Sequence, residues 1–503
     1  MKRIIALALV LLMILPFAFS CTSTGDEGGE GTTTAGTTSG DAISGDVTDK
    51  PESEYVEDEL GDDLNFGTTV SILYWEDVER TEFDVEDITG DAVNDAIYNR
   101  NITAETRLGI TLNWVPTKGN FNNQKNFVEQ CANGNVDGAY DIFAGYSMTA
   151  ATIAMQGYSQ DILALDYIDL DKPWWPDSLL SQATINDKLY FLSGDISTMM
   201  LHMMYVVLFN KQLLVDFNLE ADNPYDLVQS NKWTITKMIT MSEQLYGDIG
   251  DTEGEKDIGD RYGFVTNDIN LDGFYTAAGL KTVEKGENGL IISPDFGSNK
   301  AESLASQLVS FFSEDYALAK KASGFSPATI FAQNRALFTM DRAYITTCPA
   351  MLAVGDAVDF GVVPCPKYNT KQETYVTMLG FPFTMYSVSS ASKNADVAAA
   401  TLECLGSEGY RQVTPQLYET VMKVRYVRDE VSSSMYDLIK SCVYIDIGRI
   451  FTTEFNNLTY KIFREAVRDL KSNYLQVYAQ NEQLLIGPSG YLAKINEKFY
   501  GSN

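Results

Sequence analysis

The sequence predicts an α/β protein with a parallel, doubly wound sheet and enough chain for two hydrophobic cores. Strand-like and helix-like patterns alternate from residue 70 onward. The body they open, roughly residues 66 to 503, is longer than a single core accommodates. A polar run before residue 66 sets that body apart from the N-terminus.

Val70 to Trp75 (Val-Ser-Ile-Leu-Tyr-Trp) is β-rich and partly alternating, which reads as a strand. A turn-rich gap leads to a helical stretch from about Asp91 to Leu108, and Gly109 ends it. Ile110 to Val115 reads as a second strand, about Phe121 to Asn133 as a second helix, and Tyr140 to Ala144 as a third strand. That succession folds as a parallel sheet, and such sheets bind ligands beyond the carboxyl ends of their strands. The ends carry Tyr74-Trp75-Glu76 and Gly145-Tyr146-Ser147, so Trp75, Glu76, Tyr146 and Ser147 are candidate ligand-binding residues.

The first twenty residues have the pattern of a secretory signal. Lys2 and Arg3 precede an apolar run, Ile4 to Phe19, broken only by Pro16. Ala18-Phe19-Ser20 ends at Cys21, which resembles the bacterial lipobox and implies lipidation of Cys21. Residues 21–65 form the expected tether: thirteen carboxylates stand against one base, Lys50, with almost no large apolar side chain. Such a segment buries too little surface to offset its ordering entropy and is expected to stay disordered. No later segment offers eighteen consecutive apolar residues, so the lipid is the expected membrane attachment, on the extracellular face of the bacterial cell membrane.

The formal net charge of −32 repels phosphate, so no nucleic-acid partner is expected. Beyond Cys21 there are five cysteines, Cys131, Cys348, Cys365, Cys404 and Cys442, without a CxxC pair or a nearby histidine, which argues against zinc. A Cys348–Cys365 disulfide stays open at this level. The single histidine, His202, lies in a Met-rich run, Met199 to Met204, that continues into Tyr205 to Phe209 and reads as core rather than a copper site. Asp268, Asn270 and Asp272 copy the first half of a calcium loop, but Gly279 stands where the closing Glu belongs, leaving a weak metal candidate. No cofactor is expected. The acidic run Asp248 to Asp260 reads as a solvated loop. Trp233, before Thr234 as N-cap and five positions before Met238, has the spacing of a hydrophobic staple and reads as structural.

Six segments further along carry a family resemblance. They are Asn186 to Leu192 (Asn-Asp-Lys-Leu-Tyr-Phe-Leu), Leu208 to Leu214, Asn231 to Met238 around Trp233, Phe331 to Tyr344, Gly361 to Pro366 (Gly-Val-Val-Pro-Cys-Pro) and Leu379-Gly380-Phe381. Taken in order across residues 70 to 470, they resemble the family 1 extracellular solute-binding proteins. Two departures stand out: Tyr344, after Arg342-Ala343, replaces the family's Trp, and Leu379-Gly380 replaces its double Gly. The resemblance implies a two-lobe, periplasmic-binding-protein-like fold with discontinuous lobes and a hinge. Lobe 1 would combine 66–194 with 380–423, and lobe 2 would combine 198–377 with 425–503. Interlobe crossings are expected near Gly194 to Thr198, Met378 to Gly380 and Lys423 to Arg425. Extra length relative to the family falls in Tyr246 to Arg261 and Thr282 to Gly297.

The resemblance further implies a monomer that captures a carbohydrate, in the first place an oligosaccharide, and passes it to the permease subunits of an ABC importer. The 28 Tyr, 25 Phe and 5 Trp suit this, because a sugar needs flat aromatic platforms beside planar hydrogen-bonding groups. The cleft walls the resemblance implies add Asp195, Arg342, Tyr344, Gly380, Phe455 and Asn456 to the candidate list, and Trp174 joins them from a Pro-bounded loop. Catalysis has little support: one histidine leaves little room for a His-dependent triad, and no G-x-S-x-G or phosphate loop occurs. Two other classes stay open, a lipid-anchored glycan-active enzyme using paired carboxylates and a ligand receptor that docks on a membrane sensor.

Overall fold

The computed structural model describes residues 56–250, 256–320, 326–417, 430–471 and 473–501. The signal segment, Cys21, most of the tether and the expected crossing at Lys423 to Arg425 lie outside the described residues.

The strands that matter for the site are β1 (Thr68–Trp75), β2 (Ile110–Thr117), β3 (Ile142–Tyr146), β4 (Tyr205–Asn210), β5 (Tyr262–Asn267), β6 (Ala317–Lys320), β7 (Ala336–Arg342), β8 (Phe360–Pro364) and β9 (Thr384–Val388). They form two sheets. The first has the order β9-β3-β1-β2, with β1, β2 and β3 parallel and β9 returning antiparallel to β3. The second has the order β8-β4-β7-β5-β6, in which β5 runs parallel to β6 and β7 while β4 runs antiparallel to β7 and β8. The chain leaves the first sheet after β3, builds the second from β4 to β8, and returns for β9.

The helices used below are α1 (Ala92–Leu108), α2 (Gln124–Gly134), α3 (Ser147–Met155), α4 (Asp272–Ala277), α5 (Asn299–Ser313), α6 (Ala395–Glu408), α7 (Glu430–Ser441), α8 (Ile447–Ile450) and α9 (Leu458–Arg468). Local chemistry sets their ends. The Asp91 carboxylate accepts from the N–H groups of Val93 and Asn94 at the start of α1. Gly109 closes that helix at φ +58°, in the left-handed region a side chain disfavours. Helices α1 and α6 pack together beside the first sheet, α7 lies on β8 of the second, and α9 packs on α4 and α5.

Several expectations change on contact with the structure. The tether was expected to run to residue 65, yet the packed body begins earlier. The Asp58 side chain is 1 % exposed and ion-paired to Arg107 (2.6 Å) and Arg411 (3.1 Å). Burial alone would raise its pKa, but hydrogen bonds from Arg107 and Ser407 and the Arg107 charge hold it well below the usual carboxylate range. The acidic run is not wholly solvated either: the buried Asp260 carboxylate accepts from the N–H groups of Ile249, Gly250 and Asp257. The Met-rich run is a short helix, Thr198–His202, ahead of β4, and all of it is buried. All five described cysteines are free, so Cys348 and Cys365 are not bridged. Trp233 is structural: its indole donates to the Pro364 carbonyl at 2.8 Å while Thr234 caps the following helix. No helix among the described residues is long and apolar enough to cross a membrane.

Trp174 and Trp175 are fully buried against α6, where Gly406 supplies the room: a Cβ there would lie 2.9 Å from both indoles. The Trp175 indole donates to Glu403 at 2.9 Å, and burial pushes the Glu403 carboxyl up to about 7. A carboxyl with a raised folded-state pKa binds more protons folded than unfolded. Its contribution is therefore complete below the unfolded value of 4.5 and declines as pH rises toward 7. Glu403→Gln, which copies the neutral acid, should raise stability by on the order of 2 to 3 kcal/mol at pH 8 and leave it nearly unchanged at pH 4. Denaturant titration of both proteins at the two pH values measures this, and an equal effect at both would contradict the assignment.

Candidate functional site

Both sheets turn the carboxyl ends of parallel strands toward one cleft. In the first sheet β1 ends at Trp75 and β3 at Tyr146, while Phe381 and Pro382 lead into β9 opposite Tyr146. In the second, β7 ends at Arg342, paired in register with Tyr205 at the start of β4, and β5 runs out toward Ile269. These residues line an open cleft of about 350 Å³, within the range of small-molecule sites.

An aromatic floor crosses the first-sheet side. Trp75 and Tyr146 stack with ring centroids 5.4 Å apart and planes 15° apart, and Phe381 meets Tyr146 edge-on at 6.0 Å. The Trp75 indole N–H donates to the Thr384 hydroxyl at 2.9 Å, which fixes the ring plane. Burial pushes the Tyr146 and Tyr205 phenols well above their ordinary pKa, so both stay neutral hydrogen-bonding groups. The Tyr205 hydroxyl lies 3.1 Å from the Asn270 side-chain oxygen.

The second-sheet side is a wall of guanidinium groups. Arg342 donates from Nη1 to the Phe381 carbonyl at 2.7 Å and from Nε to Asp341 at 3.2 Å. Arg449, from α8, lies over the Phe381 ring at 4.5 Å. Arg464, from α9, lies over the Tyr460 ring at 4.2 Å, one helical turn away on the same face. Asp272 of α4 binds both of the latter, accepting from Arg449 Nη1 at 3.0 Å and from Arg464 Nε at 3.0 Å. Burial alone would lower the Arg464 pKa, but the Asp272 charge outweighs it and holds the group above its ordinary value. The arrangement sets aromatic surface beside planar guanidinium donors.

Of the residues expected from sequence, the structure brings Trp75, Tyr146 and Arg342 together on the cleft, with Gly380 beneath them. A Cβ on Gly380 would lie 2.5 Å from the Tyr205 ring and 3.1 Å from the Arg342 side chain, so its absence lets both pack. The others fall elsewhere. Glu76 points to solvent, paired with Lys118 at 3.1 Å, and Asp77 and Glu79 line the cleft instead. Ser147 is buried behind Tyr146 at the head of α3. Trp174 is core, and Asp195 is buried beside it, paired with Lys440 at 3.6 Å. Tyr344 stacks under the Arg80 guanidinium at 5.0 Å. Phe455 is core, and Asn456 is an exposed turn residue at φ +50°. The half calcium loop is part of the cleft's support: Asp272 is held by two arginines and Asp268 lies 3.8 Å from Arg468, so cations of the protein already occupy these carboxylates.

Sequence reasoning missed Tyr205, Phe381, Arg449, Tyr460 and Arg464 as cleft residues. One signal was present. Tyr460, Arg464 and Arg468 recur every four residues, a stripe along one face of a helix.

Comparison with solved structures identifies the fold. The GacH receptor of Streptomyces glaucescens, solved unliganded and with acarbose, aligns at TM-score 0.51 and 14 % identity, covering 87 % of this chain and 99 % of that one. A cyclo/maltodextrin-binding protein complexed with maltotetraose aligns at TM-score 0.54 and 13 % identity over 83 % of this chain and 98 % of its own. The maltose-binding periplasmic protein of Listeria monocytogenes aligns at 0.53 and 15 % over 84 % and 99 %. No family model and no curated protein sequence matches the chain. The chain thus has the two-lobe, periplasmic-binding-protein-like α/β fold of the solute-binding proteins.

Trp75 is 1 % and Tyr146 5 % exposed, so the floor of the cleft is also core. Trp75→Ala and Tyr146→Ala should each lower stability by about 3 to 5 kcal/mol, as truncating a buried aromatic does. Thermal unfolding of the two variants measures this, and a loss below about 1 kcal/mol would place the rings outside the core.

Proposed function

We propose that this chain is a lipid-anchored extracellular solute-binding protein that captures a carbohydrate between its two lobes and delivers it to an ABC importer. The observation that carries the reading is a cleft edged by the partly exposed rings of Phe381 and Tyr460, backed by the buried Trp75–Tyr146 stack, beside the Arg342, Arg449 and Arg464 guanidiniums. A sugar presents an apolar C–H face and an equatorial belt of hydroxyls, and this cleft is complementary to both. The structural neighbours support the ligand class: their structures hold acarbose, maltotetraose and maltose. In this reading the protein acts as a monomer without turnover. Asp77 and Glu79 are the carboxylates lining the cleft, both from the segment after β1, and Asp77 is held by the Gly119 and Asn120 N–H groups and the Asn123 amide.

A thermal-shift screen of mono- and oligosaccharides, followed by calorimetric titration, tests capture. A true ligand at 100 times its Kd should add about 2.7 kcal/mol to stability. Product analysis of the same mixtures should show the saccharide unchanged, and its cleavage would assign the cleft to an enzyme instead.

The anchor rests on the signal pattern ending at Cys21 and the acidic tether behind it. In a bacterial host, Cys21→Ser should move the protein from the membrane fraction to the medium or periplasm with its thermal unfolding unchanged. Continued partition with the membrane would exclude lipidation at Cys21.

A further inference from the structure

We propose that Phe121 is the outer sugar platform of the cleft, so that the captured solute is an oligosaccharide running from Phe381 and Tyr460 out to the Phe121 ring. This rests on the carbohydrate reading above and narrows it to a chain length and a residue. Charge does not choose the ligand here. Arg449 faces Asp446 as well as Asp272, Arg464 shares Asp272, and Arg342 pairs with Asp341. Asp77 and Glu79 line the same cleft. With the guanidiniums offset in this way, discrimination among saccharides falls to the aromatic faces and the groups beside them.

The rings that line the cleft are graded in exposure. Trp75 and Tyr146 are buried, Phe381 and Tyr460 are partly exposed, and Phe121 is 59 % exposed. That grading puts Phe121 at the mouth, where it would meet a later unit of a chain whose first unit lies against Phe381 and Tyr460. Exposure alone would leave Phe121 an ordinary surface side chain. What sets it apart is that its turn, between β2 and α2, is tied to the floor. The Asp77 carboxylate, two residues beyond Trp75, accepts from the N–H groups of Gly119 (2.8 Å) and Asn120 (2.9 Å) and from the Asn123 amide (3.1 Å). The turn closes on itself through the Asn123 N–H, which donates to the Asn120 carbonyl at 2.7 Å. Gly119 is buried against the floor, where a Cβ would lie 2.6 Å from the Trp75 Cβ. An aromatic ring presented to water on a preformed turn gains burial when a sugar covers it, with little backbone left to order. Asn120 and Asn122 line the cleft beside it and bring amides suited to the hydroxyl edge of that outer unit.

The test titrates the full chain in detergent with mono- to tetrasaccharide series of α-glucan, β-glucan, xylan and mannan. In at least one series the tetrasaccharide should bind about tenfold or more tightly than the shortest member that binds. Phe121→Ala should lower tetrasaccharide affinity about tenfold and affinity for that shortest member less than about twofold. Thermal unfolding of the unliganded variant should be unchanged, because the ring is exposed. Phe121→Trp keeps a flat face and should stay within about threefold of the unaltered protein, while Phe121→Leu, apolar but not flat, should fall between Trp and Ala. Equal losses at both chain lengths, or no loss at either, would overturn the platform assignment and leave carbohydrate capture standing. So would a monosaccharide that binds as tightly as its tetramer. A marked drop in the unliganded melting temperature of both Phe121→Ala and Phe121→Leu would make the ring structural and overturn the assignment as well. No binding by any saccharide would overturn both readings.

Discussion

The cleft depends on the Asp272 carboxylate, which sits between two guanidiniums brought from helices far along the chain. Arg449 lies 177 residues away and Arg464 lies 192. A buried charge is tolerated only when paired, so these contacts fix where α8 and α9 sit against α4. From there the order passes across the cleft by direct contact. Arg449 covers Phe381, Phe381 meets Tyr146 edge-on, Tyr146 stacks on Trp75, and Trp75 is hydrogen-bonded to Thr384. Each link constrains the orientation of the next, so the aromatic floor and the guanidinium wall are parts of one packed unit.

The parts of this unit legible in the sequence are those encoded locally. The alternation of β1 to β3 with α1 and α2, with Asp91 and Gly109 marking the ends of α1, announces a parallel sheet. Trp75 and Tyr146 follow from it because they close two of its strands. Precision fails one residue beyond the strand. Glu76 turns to solvent while Asp77 and Glu79 return to the cleft, because the period-two rule that places side chains lapses once the ladder ends.

What stayed hidden is long-range. Asp268 and Asp272 look like calcium ligands because the motif is read along the chain, whereas their partners, Arg449, Arg464 and Arg468, come from the C-terminal helices. Spacing by four does appear in both segments: Asp268 and Asp272 are one helical turn apart, as are Arg464 and Arg468. Opposite charges at matched spacing on two helical segments suit an interface, but sequence alone does not say that the two meet. Trp174 misleads for a similar reason. A Pro-bounded loop suggests exposure, and the void beside Gly406 that receives the ring exists only after α6 packs.

The same contacts bear on how such a cleft opens. The stretch that leads from the first sheet to the second is clamped to the first: Arg100 donates to the carbonyls of Ile196 and Glu82, and the Glu82 carboxylate accepts from the Met199 N–H. The return stretch is hydrogen-bonded to the same region, with Gly380 N–H on the Met203 carbonyl at 2.8 Å. Contacts away from these stretches also join the two sides, among them the buried Phe451 ring on Phe191 and Thr152 on Glu454. Arg80 reaches the Thr347 carbonyl and hydroxyl at 2.9 Å each, and the Thr453 hydroxyl donates to the Met148 carbonyl at 2.8 Å. Separating the lobes would break these hydrogen bonds and also part the buried Phe451–Phe191 contact, which water does not replace, while the clamp at Glu82 and Arg100 lies on one side. A ligand bridging Tyr146 and Arg449 would add contacts to both sides and so favour the closed arrangement.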